Sequence, residues 1–342
     1  ALIFAASGLT GFVGIEGDPG QGFVLTGMDF MLGAFASSDG SQRYTTIAAT
    51  VDSANVVGID GLTLNVTGLE VALNSKDLGS GTAINFSDSP IVSPVAGSSV
   101  SFEYEGELLN VIAAIEVAIG GLVEISGQFK ISRTVETLFL DNTLSVSAEL
   151  LTLSGTDLTG FIGLPGTDES DRAGLSFMGV NMGVAIARSA EENDTRSWVG
   201  VVGSAASATV VGLPADTFAL SATDLFVHLN VASADGRVVD WSSTPVDLGA
   251  VPGTLILDHA GTLRAFVEVG ATILLEVAGL VQLEGSFTFT LESETLVLAD
   301  GTSIEADLFS LSASNLSGFV GIAPVDENES GLGIELSAVD VA

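Results

Sequence analysis

The sequence predicts an all-β, elongated tandem-repeat protein. Three observations carry this prediction. One strand-like string occurs three times, long stretches alternate apolar and polar residues, and Gly, Ser, Thr and Asp punctuate the alternation. The recurring string is SGLTGFVGI at Ser7–Ile15, TDLTGFIGL at Thr156–Leu164 and SNLSGFVGI at Ser314–Ile322.

Placing Gly11, Gly160 and Gly318 in register aligns much more than the string itself. Gly22–Phe35 corresponds to Ala173–Ala187 and to the closing residues 331–342. Val56–Asn74 matches Val210–Asn230, and Glu116–Ile131 matches Leu275–Thr290. The chain therefore divides into a first unit at 1–149, a second at 150–307 and the start of a third at 308–342. A period this long is that of a module array, not of a short solenoid motif.

Within a unit the period is two. From Val267 to Leu291 every odd position is apolar or Gly, and most even positions are Glu, Gln, Ser or Thr. Val111–Ile131 keeps the same parity in the first unit. Such a run, left unbroken, would span roughly 80 Å, so bends are expected at Gly270, Gly279 and Gly285. A shorter motif, seen in LTGMDF, LSATDL and LSASNL, reads as a tight corner between strands. Its recurrence in one direction favours a β-solenoid-like stack. The alternative is a set of antiparallel meander or sandwich modules, with Asp-Gly turns at Asp39, Asp60, Asp235 and Asp300.

Composition bounds the function. Among 342 residues, 47% are hydrophobic, enough for a packed core, and acidic residues outnumber basic ones 43 to 9. The net charge of −34 opposes binding to nucleic acid phosphates and to anionic membrane surfaces. It suits divalent cations, a salty medium or solubility through self-repulsion. No cysteine is present, so disulfides, thiolate metal sites and a thiol nucleophile are excluded. A membrane barrel alternates in the same way but wants aromatic girdles, and with two Trp and two Tyr no membrane insertion is expected. The first residues read as the interior of a longer chain.

Calcium is the cofactor these residues suggest. Asp168, Glu169 and Asp171 crowd one loop, and Asp326, Glu327 and Glu329 crowd its counterpart in the third unit. Hard cations require several such oxygens to converge. The first unit keeps only Glu16 and Asp18 there, and Glu191, Glu192 and Asp194 form a second cluster opposite a lone Asp39. The other reading of these loops is a solvated, like-charged coat. Catalysis has little support. His228 and His259 have no histidine counterpart in the first unit, no Gly-x-Ser-x-Gly elbow occurs, and a structural role is expected for both. The chain is not expected to be an enzyme.

The strings VEISGQF, VQLEGSFTF, LTLNVTGLEVALN and SADGRVVDW resemble the long tandem repeats of giant secreted bacterial surface proteins of the adhesin-like kind. The resemblance implies export, an extracellular or cell-surface location, an extended shape and a role in attachment or in a fibre. The expected function is a structural segment of an extracellular bacterial fibre, stalk or filament. Its partners are neighbouring repeats or copies of itself, met end to end through Leu308, Leu316, Phe319 and Val320 of the third unit and Leu9, Phe12 and Val13 of the first. A ligand- or glycan-binding module with acidic loops is the alternative. That reading would want an aromatic platform, for which Trp198, Trp241, Tyr44 and Tyr104 are available.

Overall fold

A computed structural model describes residues 1–15, 21–78, 82–140, 144–164, 172–214, 217–260, 265–322 and 332–341. The period-two alternation folds as strands throughout. The first unit contributes β1 (Leu2–Ile15), β2 (Gln21–Ala36), β3 (Arg43–Val57), β4 (Leu62–Leu78), a short hairpin of β5 (Ile91–Val92) and β6 (Ser101–Phe102), then β7 (Leu108–Ile119) and β8 (Val123–Phe139). The second repeats this order as β9 (Ser145–Leu164), β10 (Ala173–Ser189), β11 (Ser197–Val211), β12 (Phe218–Val231), the hairpin β13 (Val246–Asp247) and β14 (Ile256–Leu257), β15 (Phe266–Val277) and β16 (Val281–Val297). The third starts with β17 (Ser303–Ile322) and β18 (Leu332–Val341). The sequence-derived boundaries at 149/150 and 307/308 lie inside β9 and β17.

All strands except the two short hairpins join one 14-stranded sheet in chain order, with β1 and β18 at its edges. Each sequential pair is antiparallel, as from β1–β2 through β8–β9 to β17–β18. The arrangement is therefore a long antiparallel meander and not the corner-upon-corner stack of a β-solenoid. At about 4.8 Å per strand the sheet is roughly 60 Å wide.

The sequence read continuously from Val267 to Leu291 because of how the chain turns. Val277 pairs with Val281 across a three-residue turn, with Ala278 at φ 50° and Gly279 at φ 62°. Two odd-numbered residues thus face each other, and the parity passes through the hairpin unbroken. Gly279 lies in the turn itself, whereas Gly270 and Gly285 lie within β15 and β16, opposite Thr288 and Ile273, where the pairing with β12 and with β17 slips register. Asp-Gly turns at 39–40, 60–61 and 300–301 close β2–β3, β3–β4 and β16–β17; the one at 235–236 lies between β12 and β13.

The supposed corners are bulges within single strands. Gly27, Asp224 and Asn315, from the three quoted motifs, all adopt left-handed φ (62°, 52° and 53°), and the register slips beside them. A side-chain clasp repeats at one of these bulges. The backbone N–H of Gly8 donates to Asp29 Oδ1 at 2.8 Å, that of Asp157 to Asn181 Oδ1 at 3.0 Å, and that of Asn315 to Asp340 Oδ1 at 2.9 Å. Short polar side chains tolerate this geometry and satisfy the N–H that a bulge frees, which is why the motif looked like a turn.

The core lies on one face only. Between β4 and β7, and again between β12 and β15, the chain leaves the sheet and folds back over earlier strands. The first insert buries Phe86, Val100 and Phe102 against Met31 and Ala48. The second buries Val239, Trp241, Leu248, Leu255 and Leu257 against Leu138, Val146, Ala148, Leu150, Ala185, Ala187 and Trp198. In β9 the insert-facing Val146, Ala148 and Leu150 are buried, while Leu151 and Leu153 on the opposite face are 43% and 52% exposed.

Candidate functional site

The joint between the two units is the most elaborated part of the molecule. The second insert crosses it. Asp240 N–H donates to the Phe139 carbonyl at 2.8 Å, and Lys130 Nζ of β8 donates to the Gly249 carbonyl at 3.0 Å and to that of Asp247 at 3.4 Å. Ser154 Oγ of β9 donates to the Leu248 carbonyl. Lys130 is one of only nine basic residues in the chain, and it ties the last strand of one unit to the insert of the next.

Between the two inserts runs a groove of about 540 Å³, floored by β7, β8 and β9 and walled by Tyr104 on one side and residues 244–252 on the other. Its floor carries Asn110, Lys130, Ser132 and Thr152. The Ser132 and Thr152 hydroxyls are 2.5 Å apart, and Asn110 Oδ1 is buried with no hydrogen-bond partner. Donors, hydroxyls and one aromatic edge could hold a small polar ligand.

Each insert is held by equivalent residues at the end of β4 and β12. Asn74 Nδ2 donates to the carbonyls of Ile84 and Gly106 at 2.6 and 2.7 Å. Asn230 Nδ2 donates to the Val239 carbonyl at 2.9 Å, and its Oδ1 accepts from Trp241 Nε1 at 3.2 Å. Both asparagines are fully buried. The repeat match ends on this Asn in both units, which was the available signal in the sequence.

A second equivalence pairs Tyr104 with His259. The short hairpins place both two residues beyond a buried apolar position, Phe102 and Leu257. Tyr104 Oη donates to the Ile47 carbonyl at 2.8 Å and meets Thr46 Oγ1 at 2.7 Å. His259 Nε2 lies 2.9 Å from the carbonyl of Val201, the counterpart of Ile47 in β11. Burial pushes the Tyr104 phenol up to about 12, with the Thr46 bond opposing. Burial likewise lowers the His259 imidazole below its ordinary value, helped by nearby His228 and opposed by the Val201 carbonyl, Asp258 and Glu268. The His228 ring packs against His259 with centres 4.5 Å apart and planes tilted by 48°, and it meets Glu268 Oε2 at 3.3 Å across β12–β15. The histidines thus join insert to sheet.

The six proposed calcium ligands, Asp168, Glu169, Asp171, Asp326, Glu327 and Glu329, lie outside the described residues, as do Glu16 and Asp18. Among the described residues no group of three or more His, Asp or Glu side chains is placed to hold a metal ion. In the second cluster, Asp194 is engaged by Arg196, whose Nη2 approaches Oδ2 at 2.7 Å and whose Nε approaches Oδ1 at 3.0 Å. That pairing holds its carboxyl well below the usual range. Asp39 in the equivalent turn accepts from the hydroxyls of Ser37 and Ser41 and the Ser41 N–H, which lower it to about 2.

The residues expected at unit interfaces separate into two kinds. Leu9, Phe12, Leu308 and Val320 are exposed, by 37%, 41%, 42% and 56%, and Leu316 and Phe319 are half-buried. For Val13 the backbone alone is described, paired with Phe23. In the middle strand β9 the matching Leu158 and Phe161 are buried, at 8% and 1%, whereas Ile162 remains 49% exposed. Arg172 lies 4.5 Å over the Phe161 ring and pairs with Glu124 of β8 at 3.0 Å, so a preceding unit completes that site. Ile162 and Val320 project instead from the uncovered face. The four aromatics form no loop platform, since Trp198 and Trp241 are fully buried and Tyr44 and Tyr104 are half-buried.

Comparison with family models, with curated proteins and with solved structures found no match to this chain.

Proposed function

We propose that the chain is a structural protein, a segment of an extracellular bacterial fibre or stalk built from tandem β-rich units. One observation carries the reading. The join between units, β8 to β9, is an ordinary strand pair of the same meander, it recurs as β16 to β17, and the second insert bridges it. Arrays joined in this way gain stability from nearest-neighbour contacts and can lengthen without a new fold. The array is elongated along the succession of strands. Its partners are neighbouring repeats. In the repeat the strand after β18 is of the β3 and β11 type, and a neighbouring repeat or copy meets the β18 edge through such a strand. The acidic loops take up calcium where a cation is present.

Small-angle X-ray scattering of this chain and of a two-copy tandem fusion tests the reading. The longest dimension should grow in proportion to the number of strands, and a compact globular envelope would overturn it. The acidic-loop reading predicts a rise in melting temperature with calcium that a chelator reverses. A ligand-binding module is the second reading, favoured by the polar groove and the unpaired Asn110 acceptor. A glycan array probed with the chain and with Lys130→Ala would support it through a signal lost in the variant.

A further inference from the structure

Water should lie against the polar face of an antiparallel sheet and the core against its apolar face. This sheet departs from that rule. Both inserts sit on the face that carries Glu116, Glu124, Lys130, Glu268 and Glu276, and among the described residues no layer lies over the face carrying the aliphatic residues. Strand pairing fixes the alternation: Ile131 is opposite Leu153, Leu151 is opposite Ile186, and Phe309 is opposite Leu291, all on the open side. These six are 40–57% exposed. Both buried clusters lie beneath the inserts.

We propose that the open face is an interface on which a second copy of this chain packs, sheet against sheet. The apolar band rises about 26 Å from Val123 to Ile131 of β8 and extends about 60 Å across the strands. That gives roughly 1,500 Å² per copy, whereas a stable association needs about 800 Å² from each partner. Soluble monomers rarely leave so large a patch open.

Two features select a protein sheet over a lipid surface. The Trp and Tyr side chains that would anchor a band in a bilayer all lie on the insert side or beneath it: Trp198 and Trp241 are buried, Tyr104 belongs to an insert, and Tyr44 pairs with Phe35, which packs against the first insert. The charged strand residues named above alternate onto the insert face, and on the open face the Glu149 carboxylate is paired with Arg133 at 3.2 Å and lies opposite Arg188, so two copies can meet there without opposing unpaired carboxylates, despite a net charge of −34 on each. A self-complementary patch generates a closed two-fold pair.

Sedimentation equilibrium and light scattering of the full chain test this. The expected result is twice the monomer mass of 34.6 kDa, with association strengthened by salt as the long-range repulsion is screened. Leu153→Glu and Ile186→Glu each replace an exposed side chain, so circular dichroism should keep its strand signal. Leu153→Glu should weaken association by about 100-fold or more, because the new carboxylate would be buried without a partner, and Ile186→Glu, with Arg188 two residues along the same face, by less. Ser310→Glu, on the insert side of β17, should leave it unchanged. A monomer at every concentration and salt level would overturn the proposal, as would a dimer indifferent to both open-face variants. Co-flotation with phosphatidylcholine vesicles would show that lipid is the occupant and would overturn it too. A monomer that is still elongated in scattering would leave the fibre reading standing, so the two can fail separately.

Discussion

Leu150 and Leu308 occupy the same place in the repeat, one in β9 and the other in β17, but Leu150 lies between Thr134 of β8 and Ala187 of β10, whereas Leu308 pairs with Glu292 of β16 and lies outside the stretch of β17 that pairs with β18. Leu150 is 2% exposed and Leu308 is 42% exposed. Two things accompany the difference, a second flanking strand and a covering insert. The apolar side chains that bury Leu150 come from the insert between β12 and β15, which lies over β8 to β11 and supplies Trp241, Leu248 and Leu257. The 14-stranded ladder provides the hydrogen bonds, and the inserts provide the packed core.

The largest effect should follow from breaking that difference at its centre. Trp241 is fully buried in the second insert, and its Nε1–H is bonded to Asn230. Trp241→Ala should cost about 3–5 kcal/mol, through lost burial and the cavity left behind. Leu308→Ala, in a position no insert covers, should change stability by about 0.5 kcal/mol or less. Urea unfolding followed by far-ultraviolet circular dichroism in each variant would measure the contrast. Comparable losses from the two substitutions would mean that the sheet itself buries these positions.

The same contrast explains what could be read from the sequence. Alternation reports which residues share a face, so the strands, the repeat and the all-β class were legible. Alternation does not report strand direction, because the turn from Val277 to Val281 preserves parity as a straight run would. Nor did the left-handed residues in LTGMDF, LSATDL and LSASNL announce a bulge, since bulges and corners select the same Gly, Asp and Asn. The inserts were the least legible part. Residues 79–107 and 232–265 have no period, and their function depends on contacts with strands far away in sequence, such as Lys130 with Gly249. The asparagines that hold them were visible only as the shared last residue of a repeat match.

Those asparagines give the next effect. Asn74→Ala and Asn230→Ala each strand buried carbonyls, and each should cost about 1–3 kcal/mol. Amide exchange should quicken in the insert that has lost its anchor while the strands of the other unit keep their protection. Uniform acceleration across both units would show that the inserts are not separately anchored.

Tyr104 and His259 sharpen the comparison through pH. The imidazole of His259 is held below its ordinary 6.5, so the unfolded chain binds the proton first as pH falls. The second insert should keep its full stability above about 6.5 and lose it as pH drops towards the folded value. Tyr104 runs the other way. Its phenol is raised from 10.0 to about 12, so the first insert should hold below pH 10 and weaken as pH rises towards 12. His259→Tyr should remove the acid sensitivity of the second insert, as read by amide exchange at pH 5 against pH 8 (about one to two units on either side of an ordinary histidine). Acid loosening of both inserts alike would count against the assignment.

The smallest effect concerns the bulge clasp, which the three units build with different chemistry. Asn181 accepts the Asp157 N–H as a neutral amide, while Asp29 accepts that of Gly8 as a carboxylate. The Gly8 bond is the largest of the influences that lower Asp29. Asn181→Ala should cost about 1 kcal/mol, the net worth of one such hydrogen bond. The Asp29 clasp should be complete above the ordinary aspartate range and lost as pH falls through its depressed value, whereas the Asn181 clasp should show no such dependence. Exchange rates of the Gly8 and Asp157 amides across an acid titration would separate the two. An acid response at Asp157 equal to that at Gly8 would mean that bulge geometry, rather than the clasp, protects these amides.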